Sequence, residues 1–95
     1  WTFTADLSAD GLLTMVDGVG NTVTAQLGGR YGLGAGTYYI NDTDGVFYAT
    51  DITVNGKAAT SVSGTIAVTA NDYFVSLNMT VDGVKYTGTS TNNVR

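Results

Sequence analysis

The sequence predicts an all-β fold: a single domain over residues 1–95, built as an antiparallel meander of about eight short strands and closed as a flattened barrel or packed as a β-sandwich. Three observations carry that expectation. Residues 61–89 hold three alternating runs joined by two short polar turns, Asn71-Asp72 and Asp82-Gly83. The chain is rich in Thr, Val, Tyr and Gly and lacks Pro and Glu, a mixture that favours strands and turns over helices. Finally, turn dipeptides recur along the whole length, with Asn55-Gly56 and Asp82-Gly83 the strongest.

Taken in order, Trp1, Phe3, Ala5 and Leu7 alternate with Thr2, Thr4, Asp6 and Ser8, which gives a first strand with one apolar face. Residues 8–11 make a turn. Residues 12–16 are apolar without clean alternation and suit a strand covered on both faces or carrying a bulge. After a second turn at 17–21, Val23, Ala25 and Leu27 restore the period of two. The Gly-rich segment 28–36 then reads as a crossover between two halves, 1–27 and 37–90, with Tyr31 and Leu33 anchoring it to the core. Strands follow at 37–40 and 46–54, around a turn at 41–45. In the last stretch Val62, Gly64, Ile66 and Val68 share one face, as do Tyr73, Val75, Leu77, Met79 and Val81, before residues 84–87 carry the chain back.

Composition removes several function classes. Only Arg30, Lys57, Lys85 and Arg95 are positive, and a net charge of −4 leaves no basic patch for a phosphate backbone, so nucleic acid is not an expected partner. No apolar run approaches the ~20 residues of a membrane helix, and most strands look shorter than the about 9 to 11 residues of a membrane barrel, so no transmembrane segment is expected. Neither Cys nor His occurs, which excludes disulfides, the usual zinc sites and the usual catalytic triads. Few charges and abundant Thr and Asn fit the exterior or surface of a bacterium, and a start at Trp1 without a leader reads as a mature or excised segment. Asn41-Asp42-Thr43 and Asn78-Met79-Thr80 match the glycosylation sequon, a short pattern that Asn/Thr-rich chains generate often.

Five candidate sites remain. Paired Asp carboxylates would be needed for an enzyme, but most acidic residues sit in turns, where Asp is favoured for its own backbone hydrogen bonds; no enzyme is expected. The glycines of 28–36 lack the following helix and Lys-Ser/Thr of a phosphate loop. Asp42, Asp44 and Asp51 are spaced as oxygen ligands for calcium, the one cofactor considered, although the EF-hand pattern fails. Adjacent aromatic pairs on strands force one member of each outward, and Tyr39, Phe47 and Phe74 are the expected outer patch for a sugar or a protein. Strand edges offer the last candidate: Trp1, Phe3 and Leu7 at one end of the sheet and Val84 and Tyr86 at the other would pair with a neighbour.

Between Leu33 and Thr89, Gly36-Thr37-Tyr38, Ser63-Gly64-Thr65-Ile66-Ala67-Val68 and Asp82-Gly83-Val84-Lys85-Tyr86-Thr87-Gly88 resemble a β-rich domain of secreted and surface lipoproteins of Bacteroidetes. The resemblance implies a calycin-like barrel or sandwich at the cell surface, without catalytic residues to carry over. The anchoring Cys of those lipoproteins has no counterpart here. The expected function is a non-enzymatic extracellular structural or interaction module that binds a protein or itself by edge-strand pairing. The alternative is a carbohydrate-binding module using its outward aromatics.

Overall fold

The computed structural model describes residues 1–94 and, among them, nine strands and no helix. These are β1 (Phe3–Leu7), β2 (Leu12–Asp17), β3 (Thr22–Gly29), β4 (Gly36–Ile40), β5 (Phe47–Val54), β6 (Lys57–Ala58), β7 (Val62–Val68), β8 (Phe74–Val81) and β9 (Val84–Asn93). All lie in one sheet in the order β1-β2-β3-β5-β4-β7-β8-β9, with the short β6 paired to β5. The sheet curls into a nearly closed, flattened barrel of 34 × 27 × 20 Å. A single curled sheet, not a two-sheet sandwich, covers the apolar face.

Local chemistry sets the hairpins. Asp82 and Gly83 both take positive φ, 48° and 82°, as do Asn55 and Gly56 at 52° and 83°, which is what a type I′ turn requires of its two central residues. At the β7–β8 connection the sequence expectation shifts. Asn71-Asp72 does not close a two-residue turn; residues 69–73 form a longer one, and Tyr73 carries the positive φ of 54°. Strand β2 is plainer than expected, with Leu13 and Met15 buried and Leu12 exposed.

The meander holds except in the middle. β3 pairs antiparallel with β5, and β4 lies beyond β5, parallel to it through Tyr39↔Tyr48 and Ile40↔Ala49. Hydrophobic alternation assigns faces but not neighbours, so this inversion leaves no trace in the periodicity. Parallel neighbours usually need a long crossover. Here residues 41–46 suffice: 41–44 are exposed, Gly45 N–H donates to the Asp42 carbonyl at 3.1 Å, and Arg30 Nη2 donates to the Asp44 carbonyl at 2.8 Å. The chain thus doubles back over the outside of the sheet.

Inside, Phe3, Leu13, Met15, Val23, Tyr38, Ile66, Val75 and Met79 are fully buried. The crossover is tied to this core by Tyr38. Its hydroxyl donates to the Gly34 carbonyl at 2.7 Å and accepts from Gly34 N–H at 3.0 Å. The anchors expected from sequence, Tyr31 and Leu33, are instead exposed at 83% and 40%. Among the described residues no buried side-chain nitrogen or oxygen lacks a hydrogen-bond partner.

The barrel closes where its two terminal strands meet. Trp1 stacks on Phe3 at 4.9 Å, meets Tyr86 edge-on at 5.1 Å, and donates from Nε1 to Asp17 Oδ2 at 2.9 Å, so one side chain touches β1, β2 and β9. The Trp1 ammonium donates to the Thr87 carbonyl at 2.6 Å. Farther along, Asn92 Nδ2 donates to the Ala5 carbonyl and its Oδ1 accepts from Ala5 N–H, both at 2.8 Å. Hydrogen bonds from Trp1 and Asn21 hold the Asp17 carboxyl well below its ordinary range, at about 2.

Candidate functional site

The outer face of the sheet carries many Thr, Ser and Asn side chains, and two tyrosines meet at one corner of it. There Gly28, Tyr48 and Tyr39 lie side by side on β3, β5 and β4. Arg30 and Val46 continue the same outer rows, joined by an Arg30 N–H bond to the Val46 carbonyl at 2.8 Å. Neighbouring strands are about 4.8 Å apart, so the two tyrosines start from adjacent backbone positions. Tyr39 is 53% exposed and Val46 47%. Tyr48 lies flat over Gly28, where any Cβ would run into its ring. A glycine floor and a tyrosine covering it make a ledge on the outside of the barrel, with Thr65 beyond Tyr39 and Thr50 two residues past Tyr48.

This ledge keeps only Tyr39 of the expected trio, and a bulge is the reason that Phe47 is missing from it. Thr24 faces Thr53 and Gln26 faces Thr50, so β5 carries an extra residue, and Asp51 takes it up with a φ of 53°. Counting back from the buried Ile52 in steps of two puts Phe47 outside. The extra residue reverses the phase: Ala49 and Phe47 turn inward and Tyr48 outward. Phe47 accordingly packs on Tyr38 with ring centroids 4.7 Å apart and lies against Gly29 and Gly36.

Phe74 does face outward, beside the buried Val75, but away from the ledge. Tyr39 is level with Thr65 and Thr65 with Asn78, so Phe74 lies two strands across and four residues along, about 16 Å from Tyr39. Of the three aromatics only Tyr39 belongs to the ledge. Tyr48, which sequence reasoning passed over, is its partner; the only sequence signal for it is that Tyr48 follows Phe47 on one strand.

The edge residues are placed differently from the expectation that they stand open. Phe3 is buried, Trp1, Leu7 and Tyr86 are half-buried, and only Val84 is largely exposed, at 55%. Curling of the sheet has turned the two edges toward each other. Asp42, Asp44 and Asp51 are not gathered either: no group of three or more Asp, Glu, His or Cys suited to a metal forms among the described residues. The Asp42 and Asp44 carbonyls are used inside the outer connection, and Asp51 sits at the bulge.

Three hollows accompany these features. One of about 260 Å³ opens at a barrel end among Leu7, Leu33, Val68, Tyr73 and Val94. A more polar one of about 430 Å³ lies past the end of β4, among Asn41, Asp51, Thr53 and Thr60. The third, about 230 Å³, flanks the closure beside Thr2, Phe3, Thr4 and Thr91. Among the described residues no helix is long and apolar enough to cross a membrane. Compared with protein-family models, curated proteins and solved structures, the chain matches none of them.

Proposed function

We propose that this chain is a non-catalytic, extracellular interaction module, and that it makes its contact through the ledge of Tyr39 and Tyr48. The observation that carries the reading is the pairing of two tyrosines on the outside of the barrel, beside exposed Val46 and Arg30. Tyr and Arg are the side chains that most often dominate protein contacts. Tyr in particular offers a large amphipathic surface while losing few rotamers. The strand edges, by contrast, are engaged with each other.

Photo-crosslinking from position 39 in the native host tests this, with position 57 on the exposed β6 as control. A discrete protein adduct from 39 and none from 57 is the expected result. A second reading, a carbohydrate platform, is favoured by the hydroxyls of Thr50 and Thr65 beside the rings. It predicts binding on a glycan array that Tyr39→Ala and Tyr48→Ala abolish. The absence of both a protein adduct and glycan binding would refute the ledge as a contact surface.

A further inference from the structure

The wall of the barrel opens where β4 stops. One edge of β5 is paired with β3 from end to end; the other is shared by β4 and β6, which approach it from opposite directions. β4 reaches Ala49, whose carbonyl accepts from Asn41 N–H at 2.8 Å, and there the chain turns away with a φ of 61°. From the far end β6 leads to Ala59, whose N–H donates to the Ile52 carbonyl at 2.9 Å. The next two N–H groups, of Thr60 and Ser61, both donate to Asp82 Oδ1, at 2.9 and 2.8 Å, and this draws the chain across to the start of β7 at Val62. Asp51, the bulged residue, stands on β5 between the two ends.

The hollow of about 430 Å³ occupies this opening. Of the three hollows it alone reaches the roughly 300–1,000 Å³ of small-molecule sites. Its lining is of two kinds. Ile52, Ala59 and Val62 supply apolar surface, and Asn41, Asp51 and Thr60 supply an amide, a carboxylate and a hydroxyl. Those three side chains make no hydrogen bond to another described residue, so their polar groups are free to meet a ligand. Bulges recur beside binding sites, where they re-aim a side chain.

We infer that this opening is a binding site for one neutral sugar ring. A carboxylate accepts from more than one hydroxyl, and an amide and a hydroxyl each donate and accept, which suits a ligand bearing several hydroxyls. The apolar lining suits the C–H face of the same ring. No Lys or Arg lines the hollow, so a phosphate or carboxylate ligand would meet Asp51 without a counter-charge. The inference does not rest on the ledge: Tyr39 and Tyr48 are not part of this lining, and no ledge substitution enters its test.

The experiment is a titration of the whole chain, followed by amide NMR, with the methyl glycosides of glucose, galactose, mannose and N-acetylglucosamine, and with methylammonium. At least one glycoside is expected to give saturable shifts at Asn41, Asp51, Thr60 and Val62 that raised salt leaves unchanged. Asp51→Gly, which keeps the left-handed bulge residue free of strain, should weaken that binding about ten- to hundred-fold, the loss of a bond to a charged group. Thr60→Val, which keeps the shape and removes the hydroxyl, should weaken it about two- to ten-fold and serves if Asp51→Gly does not fold. Saturable shifts confined to Tyr39 and Tyr48 would place sugar on the ledge and overturn the proposal for the hollow. No glycoside shifts at all, or shifts with methylammonium alone, overturn it as well, as does binding that neither substitution changes.

Discussion

Replacing Tyr38 by Phe removes one oxygen atom from a fully buried ring and two hydrogen bonds from the crossover. The hydroxyl donates to the Gly34 carbonyl at 2.7 Å and accepts from Gly34 N–H at 3.0 Å. Ring packing against Phe47 at 4.7 Å is untouched, so no cavity larger than a hydroxyl is made. Each intramolecular hydrogen bond contributes about 0.5–1.5 kcal/mol net. Gly34 is exposed, so water replaces part of what its backbone groups lose, which sets the expected cost at about 1–2 kcal/mol. For a domain of this size that is a fall in Tm of roughly 4–16 °C. Urea unfolding at constant m-value measures it, and hydrogen exchange should show faster opening of residues 30–36 in the same variant. A change below about 0.3 kcal/mol, or unchanged exchange in that segment, would refute the claim that one phenol holds the crossover to the core.

Other expectations follow from the same contacts. Asp17 has its carboxyl lowered to about 2 by bonds from Trp1 and Asn21, so its contribution is complete above the unfolded value near 3.8 and is lost as pH falls toward 2. Thermal unfolding should show a decline over that window, and Asp17→Asn should flatten it. Gly64 holds a φ of 113°, and a Cβ there would meet the Asn78 carbonyl, so Gly64→Ala should cost about 2–3 kcal/mol by denaturant unfolding. Trp1→Ala should cost about 1–3 kcal/mol, from two ring contacts and the bond to Asp17, and should be read alongside intrinsic fluorescence. Asp51→Gly should leave stability within about 1 kcal/mol of wild type, because glycine accepts the left-handed bulge residue without strain.

The parts of the fold that were legible in the sequence are those written in nearest-neighbour chemistry. Asp82-Gly83 and Asn55-Gly56 require positive φ at both positions and obtain it, and the inward sets on β1, β3 and β8 follow strict alternation. What stayed hidden depends on contacts between distant residues. Whether β4 sits beside β3 or beyond β5 changes no residue's face, since Tyr38 is buried either way. Barrel closure was equally hidden: Asn92 lies beyond the last alternating run, and its meaning appears only when Ala5 is placed opposite it.

The bulge at Asp51 shows how one such hidden feature decides the functional reading. With a regular β5, Tyr48 would point into the barrel, Phe47 would join Tyr39 outside, and the outer surface would carry a phenyl ring with no polar tip. The extra residue instead turns Phe47 inward against Tyr38 and sends the ring with a hydroxyl out over Gly28. Glycine at 28 is then required by the ledge, because a side chain on the same face would push Tyr48 off the sheet. Gly28→Val therefore separates the surface from the fold. Its Cβ meets the far end of an exposed-face ring rather than backbone, so the barrel should hold while contacts made through Tyr48 are lost. If Gly28→Val instead unfolds the chain, Tyr48 is acting as packing for the sheet, and the contact surface reduces to Tyr39 and its neighbours.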